Sequence, residues 1–123
     1  MSLAGKRLLI VEDEYFIASD LKRALEAEQV TVVGPVGSVA DALRLIDHDG
    51  VDIAMLDVNL GTAMCFPVAE RLRELGVPFM FLTGYDDWAL PDVFRDVPLL
   101  PKPFVVGDVL AAVRRLSDSE TVQ

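Results

Sequence analysis

Five short apolar runs recur along the chain, and between them the apolar residues return every three to four positions. That alternation constrains the fold more than any other feature of the sequence. The runs cover residues 6–11, 30–36, 52–57, 79–83 and 97–100. They are rich in Leu, Ile, Val and Phe, with little polar alternation, so they read as strands covered on both faces. The intervening segments carry helical stripes: Phe16, Ile17, Leu21, Ala24 and Leu25, then Val39, Ala42, Leu43 and Ile46, then Val68, Ala69, Leu72 and Leu75. Val106, Val109, Leu110, Val113 and Leu116 supply a last one. Ser38 is placed to cap the second helix, with Asp41 in its first turn and Gly50 as its stop. Gly76 and Pro78 end the third. Between residues 86 and 95 Pro91 interrupts any regular helix, so a fourth helix is expected to be short or irregular. Strands alternating with helices predict an α/β chain with a parallel sheet, helices on both faces, and the common order 2-1-3-4-5.

At 123 residues the chain suits one domain, expected over 1–123 with a core at about 6–117 and a polar tail at 118–123. A net charge of −9 argues against contact with a nucleic-acid backbone. No apolar run approaches the roughly 20 residues that span a bilayer, and residues 1–6 lack a secretory signal's apolar segment. Cys65, the sole cysteine, has no internal disulfide partner, in keeping with a cytoplasmic protein.

In a sheet of order 2-1-3-4-5 the ligand crevice lies beyond the carboxyl ends of strands 1 and 3, where the order reverses. Strand 1 ends in Glu12 and Asp13, and strand 3 ends in Asp57. Three carboxylates in one crevice repel each other unless a cation or a proton relieves them. All-oxygen ligands with room for water suit Mg²⁺. Thr83 ends strand 4 and can donate a hydroxyl hydrogen bond, while Lys102 follows strand 5 with a positive charge. Taken singly, Asp13 reads as a helix cap, Thr83 as a strand residue and Lys102 as a solvated charge. Together at four strand ends they make a phosphoryl-transfer site.

These residues resemble the response-regulator receiver family over nearly the whole chain. The carriers are Glu12-Asp13, Met55-Leu56-Asp57-Val58-Asn59-Leu60, Thr83, and Lys102-Pro103-Phe104. Pro78-Phe79 and Phe81-Leu82-Thr83-Gly84-Tyr85 further resemble its FAT-GUY subgroup, with Leu82 where that subgroup usually has Ala. The resemblance implies a flavodoxin-like (CheY-like) fold and Asp57 as acceptor of a phosphoryl group. The donor would be a histidine kinase or a histidine phosphotransfer protein. It implies Mg²⁺ held by Glu12, Asp13, Asp57 and the Asn59 backbone carbonyl, Lys102 and Thr83 meeting the phosphoryl group, and a cis Lys102-Pro103 peptide. It also implies a bacterial, cytoplasmic phosphoprotein that turns over no separate substrate, an output partner still to be identified, and a homodimer face at the last helix and strand 5.

Where many receivers carry an aromatic three positions before the lysine, this chain has Leu99, which offers no ring to which Thr83 could couple. Gly61 replaces a proline common after the acceptor and is expected to loosen that loop. The segment 85–96 is expected to move on phosphorylation. Two other functions fit parts of the pattern. A haloacid-dehalogenase-like phosphatase shares the strand-end Asp, but it needs an acid where Asn59 stands and metal-binding acids after the lysine. A pseudo-receiver interaction module would not need the full set of acids, Thr and Lys. Nucleotide binding lacks a Gly-rich loop after strand 1. His48 reads as an exposed helix-end residue, Cys65 as structural, and Trp88 as packing over the irregular segment. Tyr85 is placed to shield the phosphoryl group.

Overall fold

A computed structural model describes residues 3–84 and 90–121. Its elements follow the chain as β1 (Arg7–Val11), α1 (Tyr15–Glu26), β2 (Thr31–Val36), α2 (Val39–Asp49), β3 (Ile53–Asp57), α3 (Phe66–Glu74) and β4 (Phe79–Thr83). A 3-10 turn (Asp92–Phe94), β5 (Leu99–Pro101) and α4 (Val106–Thr121) complete it. The strands form one sheet in the order β2-β1-β3-β4-β5, and every pairing is parallel.

The unbroken apolar strands follow from burial on both sides. Side chains alternate across a strand. Leu9, Val11, Ala54, Leu56, Phe79 and Phe81 therefore face α2 and α3, where Ala42, Ile46, Val68 and Leu72 meet them. Leu8, Ile10, Ile53, Met55, Met80 and Leu82 face the other way, onto Leu21 and Leu25 of α1 and Val109, Val113 and Leu116 of α4. Two cores thus clamp the sheet, and only strand ends and edges are left to solvent. Ser38 caps α2 as expected, its hydroxyl accepting from the Asp41 amide at 3.2 Å. Gly50 and Gly76 end α2 and α3 at positive φ.

Beyond one-residue shifts at the starts of β1, β2 and β3, three segments differ from the sequence reading. The fifth strand was expected at 97–100 and lies at Leu99–Pro101. The Val97 amide is taken by the Phe94 carbonyl, which closes the 3-10 turn and leaves Val97 outside the ladder. Pro101 is tolerated because β5 is an edge strand, where a missing N–H faces no neighbour. Residues 118–121, expected in a polar tail, continue α4 to Thr121. No Gly or Pro stands among them to end the helix. Of the segment expected to form an irregular fourth helix, the described part beyond Leu90 is the single 3-10 turn after Pro91. Tyr85, Asp86, Asp87 and Trp88, with the roles expected of Tyr85 and Trp88, lie outside the described residues.

The sequence reading had no sign of the bulge in β2. Leu9 pairs with Val33 and Val11 with Val36, so Gly34 and Pro35 together oppose Ile10. Gly34 sits at φ +91, where a Cβ would stand 2.9 Å from the Val36 amide nitrogen. The extra residue carries Val36 far enough for its carbonyl to accept from the Glu12 amide at 2.9 Å. The bulge therefore fixes where β1 ends, and with it the first acid of the crevice.

Candidate functional site

β1 and β3 are adjacent and parallel, with Val11 opposite Leu56, so their next residues, Glu12 and Asp57, emerge side by side. Both are buried, at 3% and 2% exposure, whereas Asp13 is exposed at the mouth. Glu12, Asp13 and Asp57 each offer a carboxylate oxygen within 4.8 Å of the others. From the far side of the sheet comes Lys102, placed where its amide donates to the Thr83 carbonyl at 2.8 Å. The Lys102-Pro103 peptide is cis, as the resemblance implied. Lys102 Nζ lies 2.7 Å from Glu12 Oε1, 3.2 Å from Asp57 Oδ2 and 3.6 Å from Glu14 Oε1.

The contact with Asp57 is a hydrogen bond. The shorter contact with Glu12 Oε1 is an ion pair without hydrogen-bond alignment, and that oxygen is fully buried with no aligned donor. Burial, then the hydrogen bond and negative charge of Glu12, push the Asp57 carboxyl up to about 8, against the lowering pull of Lys102. Burial also opposes charge on Lys102, but Glu12 and Asp57 outweigh it and hold its ammonium above the usual range. One ammonium is thus too little cation for the carboxylates gathered here. A buried carboxylate oxygen met only by one ammonium, without an aligned hydrogen bond, among hard oxygen donors, fits a small divalent cation such as Mg²⁺.

Asp57 runs into a tight loop. Asn59 and Met64 face each other across an antiparallel bridge whose bonds run from Leu60 to Ala63 and from Cys65 to Val58, so the bridge does not use the Asn59 carbonyl. The Asn59 side chain accepts from the Gly61 amide at 2.9 Å. Gly61 makes the turn of this loop at φ +83, a conformation closed to proline. A Cβ there would come within 3.3 Å of Asp13 Oδ2, so the loop closes against the crevice. Cys65 is buried at the head of α3.

Thr83 ends β4 one residue beyond Leu82, the partner of Asp57. Leu99, half exposed in β5, pairs with Phe81. His48 stands in the last turn of α2, exposed as expected. The sequence reading brought Glu12, Asp13, Asp57, Thr83 and Lys102 to one end of the sheet, and all five are there. It missed Glu14 as a third carboxylate on Lys102, and the only sequence signal was its place beside the acidic pair. It also missed an aromatic box under β4. Phe81 meets Phe66, Phe79 and Phe94 edge-on at 6.1, 5.7 and 5.7 Å, and Phe66 stacks on Phe94 at 5.6 Å. Arg73 lies over Phe79 and Phe94 and bonds the Val93 carbonyl and Asp96.

A doubly wound parallel sheet whose switch point gathers an acidic pair, a buried strand-end Asp and a lysine defines a class of signalling domain. Residues 8–114 match the response regulator receiver domain family, and the chain belongs to it. It is 33% identical over 121 residues to the sensory transduction protein LytT of Bacillus cereus, covering 95% of this chain and 49% of LytT. The transcriptional regulatory protein PdtaR of Mycobacterium tuberculosis is 29% identical over 112 residues, covering 88% of this chain and 55% of PdtaR. The chain thus spans about half the length of the curated relatives it matches. Among solved structures, that of SdrG from Sphingomonas melonis Fr1 is 44% identical with a TM-score of 0.82, covering 94% of this chain and 98% of SdrG. SdrG has also been solved in a BeF3-activated conformation, 43% identical, TM-score 0.77, with 95% and 99% covered. Among the described residues no helix is long and apolar enough to cross a membrane.

Proposed function

We propose that this receiver domain is a phosphoacceptor in which Asp57 takes the phosphoryl group of a phosphohistidine. The donor is carried by a histidine kinase or a histidine phosphotransfer protein. The P–N bond to the imidazole breaks as a P–O bond to the Asp57 carboxylate forms, and the imidazole leaves with a proton from solvent. Glu12, Asp13, Asp57 and the Asn59 backbone carbonyl would hold Mg²⁺, which supplies charge neutralisation at the phosphoryl oxygens. Lys102, already drawn to Asp57, pairs with a phosphoryl oxygen, and Thr83 donates its hydroxyl to another. Signalling then passes from Thr83 and Lys102 into the segment after β4, of which residues 90–96 are described, and on to an output partner in the cytoplasm. The observation that carries the reading is the convergence of Lys102 Nζ and the Glu12 and Asp13 carboxylates on the buried Asp57.

Beryllofluoride, which mimics a phosphoryl group, tests the reading by fluorine NMR in the presence of Mg²⁺. The wild type is expected to give a bound fluoride signal in slow exchange, absent from Asp57→Asn. A wild type that shows only free fluoride, or a signal that survives in Asp57→Asn, would remove Asp57 as the acceptor.

A further inference from the structure

Lys102 and a divalent cation need the same two carboxylates. The ammonium lies at 2.7 Å from Glu12 and 3.2 Å from Asp57, the two most buried of the acids that would hold Mg²⁺. Once a cation occupies those groups, Lys102 faces a dication with its own partners taken. Its side chain is only 14% exposed, so water replaces the lost partners poorly. A buried charge without a counter-charge is costly, and that cost would fall on Mg²⁺ binding.

We infer that Glu14 is a positioning residue for Lys102, the carboxylate that takes over the ammonium when Mg²⁺ claims Glu12 and Asp57. Three observations carry this. Glu14 Oε1 is 3.6 Å from Lys102 Nζ, within ion-pair range but looser than the contacts it would replace. The Glu14 side chain is 62% exposed, so it can turn to follow the ammonium at little cost. The Glu14 amide donates to Glu12 Oε2 at 3.2 Å, so the two acids share one turn at the end of β1. Glu12 is thus left to the cation while Glu14 keeps Lys102 beside Asp57, where an incoming phosphoryl oxygen needs it.

The inference rests on the Mg²⁺ site proposed above and is tested by a double-mutant cycle read as Mg²⁺ affinity, with magnesium chloride titrated by calorimetry into the unphosphorylated protein. Glu14→Gln is expected to weaken Mg²⁺ binding about three- to fivefold, the scale of a partly exposed ion pair. Lys102→Met is expected to tighten it, because the competing ammonium is gone. In the Lys102→Met background Glu14→Gln is expected to change the affinity less than twofold. Equal weakening in both backgrounds would show that Glu14 acts only through its charge on the cation, and would overturn the inference. A wild type that binds no Mg²⁺ would instead overturn the proposed metal site, and this inference with it.

Discussion

Asp57→Asn is expected to melt higher than the wild type at pH 8 without metal, by about 5–10 °C, even though it removes the acceptor. Asp57 is almost fully buried, and that burial, followed by the hydrogen bond and charge of Glu12, pushes its carboxyl up to about 8 from an unfolded value near 3.8. Below pH 3.8 the group is protonated in both states and adds no pH dependence. From there to about pH 8 the folded chain keeps a proton that the unfolded chain has lost, so stability falls as the pH rises. Above pH 8 the folded state carries the full charge and the whole cost. Asparagine keeps the shape and removes that charge, which corresponds to roughly 1–3 kcal/mol for a buried ionic group. For a domain of this size a kilocalorie moves the melting temperature by about 3–6 °C. Melting curves of both proteins at pH 5 and pH 8 check the account, and the gap should widen toward pH 8. Saturating Mg²⁺ should narrow it by stabilising the wild type more. A gap that is absent, or unchanged between the two pH values, would mean that Asp57 is not held against its own charge.

Phe81→Ala is expected to cost about 3–5 kcal/mol, the range for deleting a large side chain from a well-packed core. Phe81 has no exposed surface and stands in the middle of β4, between β3 and β5. Its ring meets three others edge-on, contacts worth about 0.5–1.5 kcal/mol each beyond simple burial. The cavity would open under the strand that ends in Thr83. Since the total stability of such domains is about 5–15 kcal/mol, the variant should be partly unfolded in mild urea. Phe16→Ala provides the control. Phe16 is 80% exposed, and its loss should stay within about 0.5 kcal/mol. Urea titrations that give Phe81→Ala a cost below about 1.5 kcal/mol would mean that the aromatic box does not anchor β4.

The sheet was legible because its signal is repeated and physical. Strands buried on both faces must be apolar throughout, as Leu8 to Val11 and Ile53 to Leu56 are, and crossover rules then leave little choice of order. The acids were legible for a related reason. A carboxylate that ends such a strand, as Asp57 does, gains meaning when Glu12, Asp13, Thr83 and Lys102 stand at the neighbouring strand ends. Other features depend on geometry that no local pattern encodes. The β2 bulge needs Gly34 to be seen against Ile10 of the neighbouring strand. β5 is displaced to Leu99–Pro101 because the 3-10 turn takes the Val97 amide, a contest between two hydrogen bonds that sequence cannot decide. That Gly61 turns a loop lying against Asp13 at a positive φ is likewise set by packing that sequence does not show. Glu14 looked like one more surface acid until Lys102 arrived beside it from the other end of the chain. The aromatic box escaped notice because Phe66, Phe79, Phe81 and Phe94 come from three separate segments.

The central claim is that Asp57 accepts a phosphoryl group in a metal-dependent way, and the mass of the intact protein after incubation with acetyl phosphate and Mg²⁺ tests it most directly. The account predicts a single phosphoryl adduct that is labile to base, needs Mg²⁺ and is missing from Asp57→Asn. An adduct of the same size on Asp57→Asn, or none on the wild type under conditions where beryllofluoride also fails to bind, would contradict it.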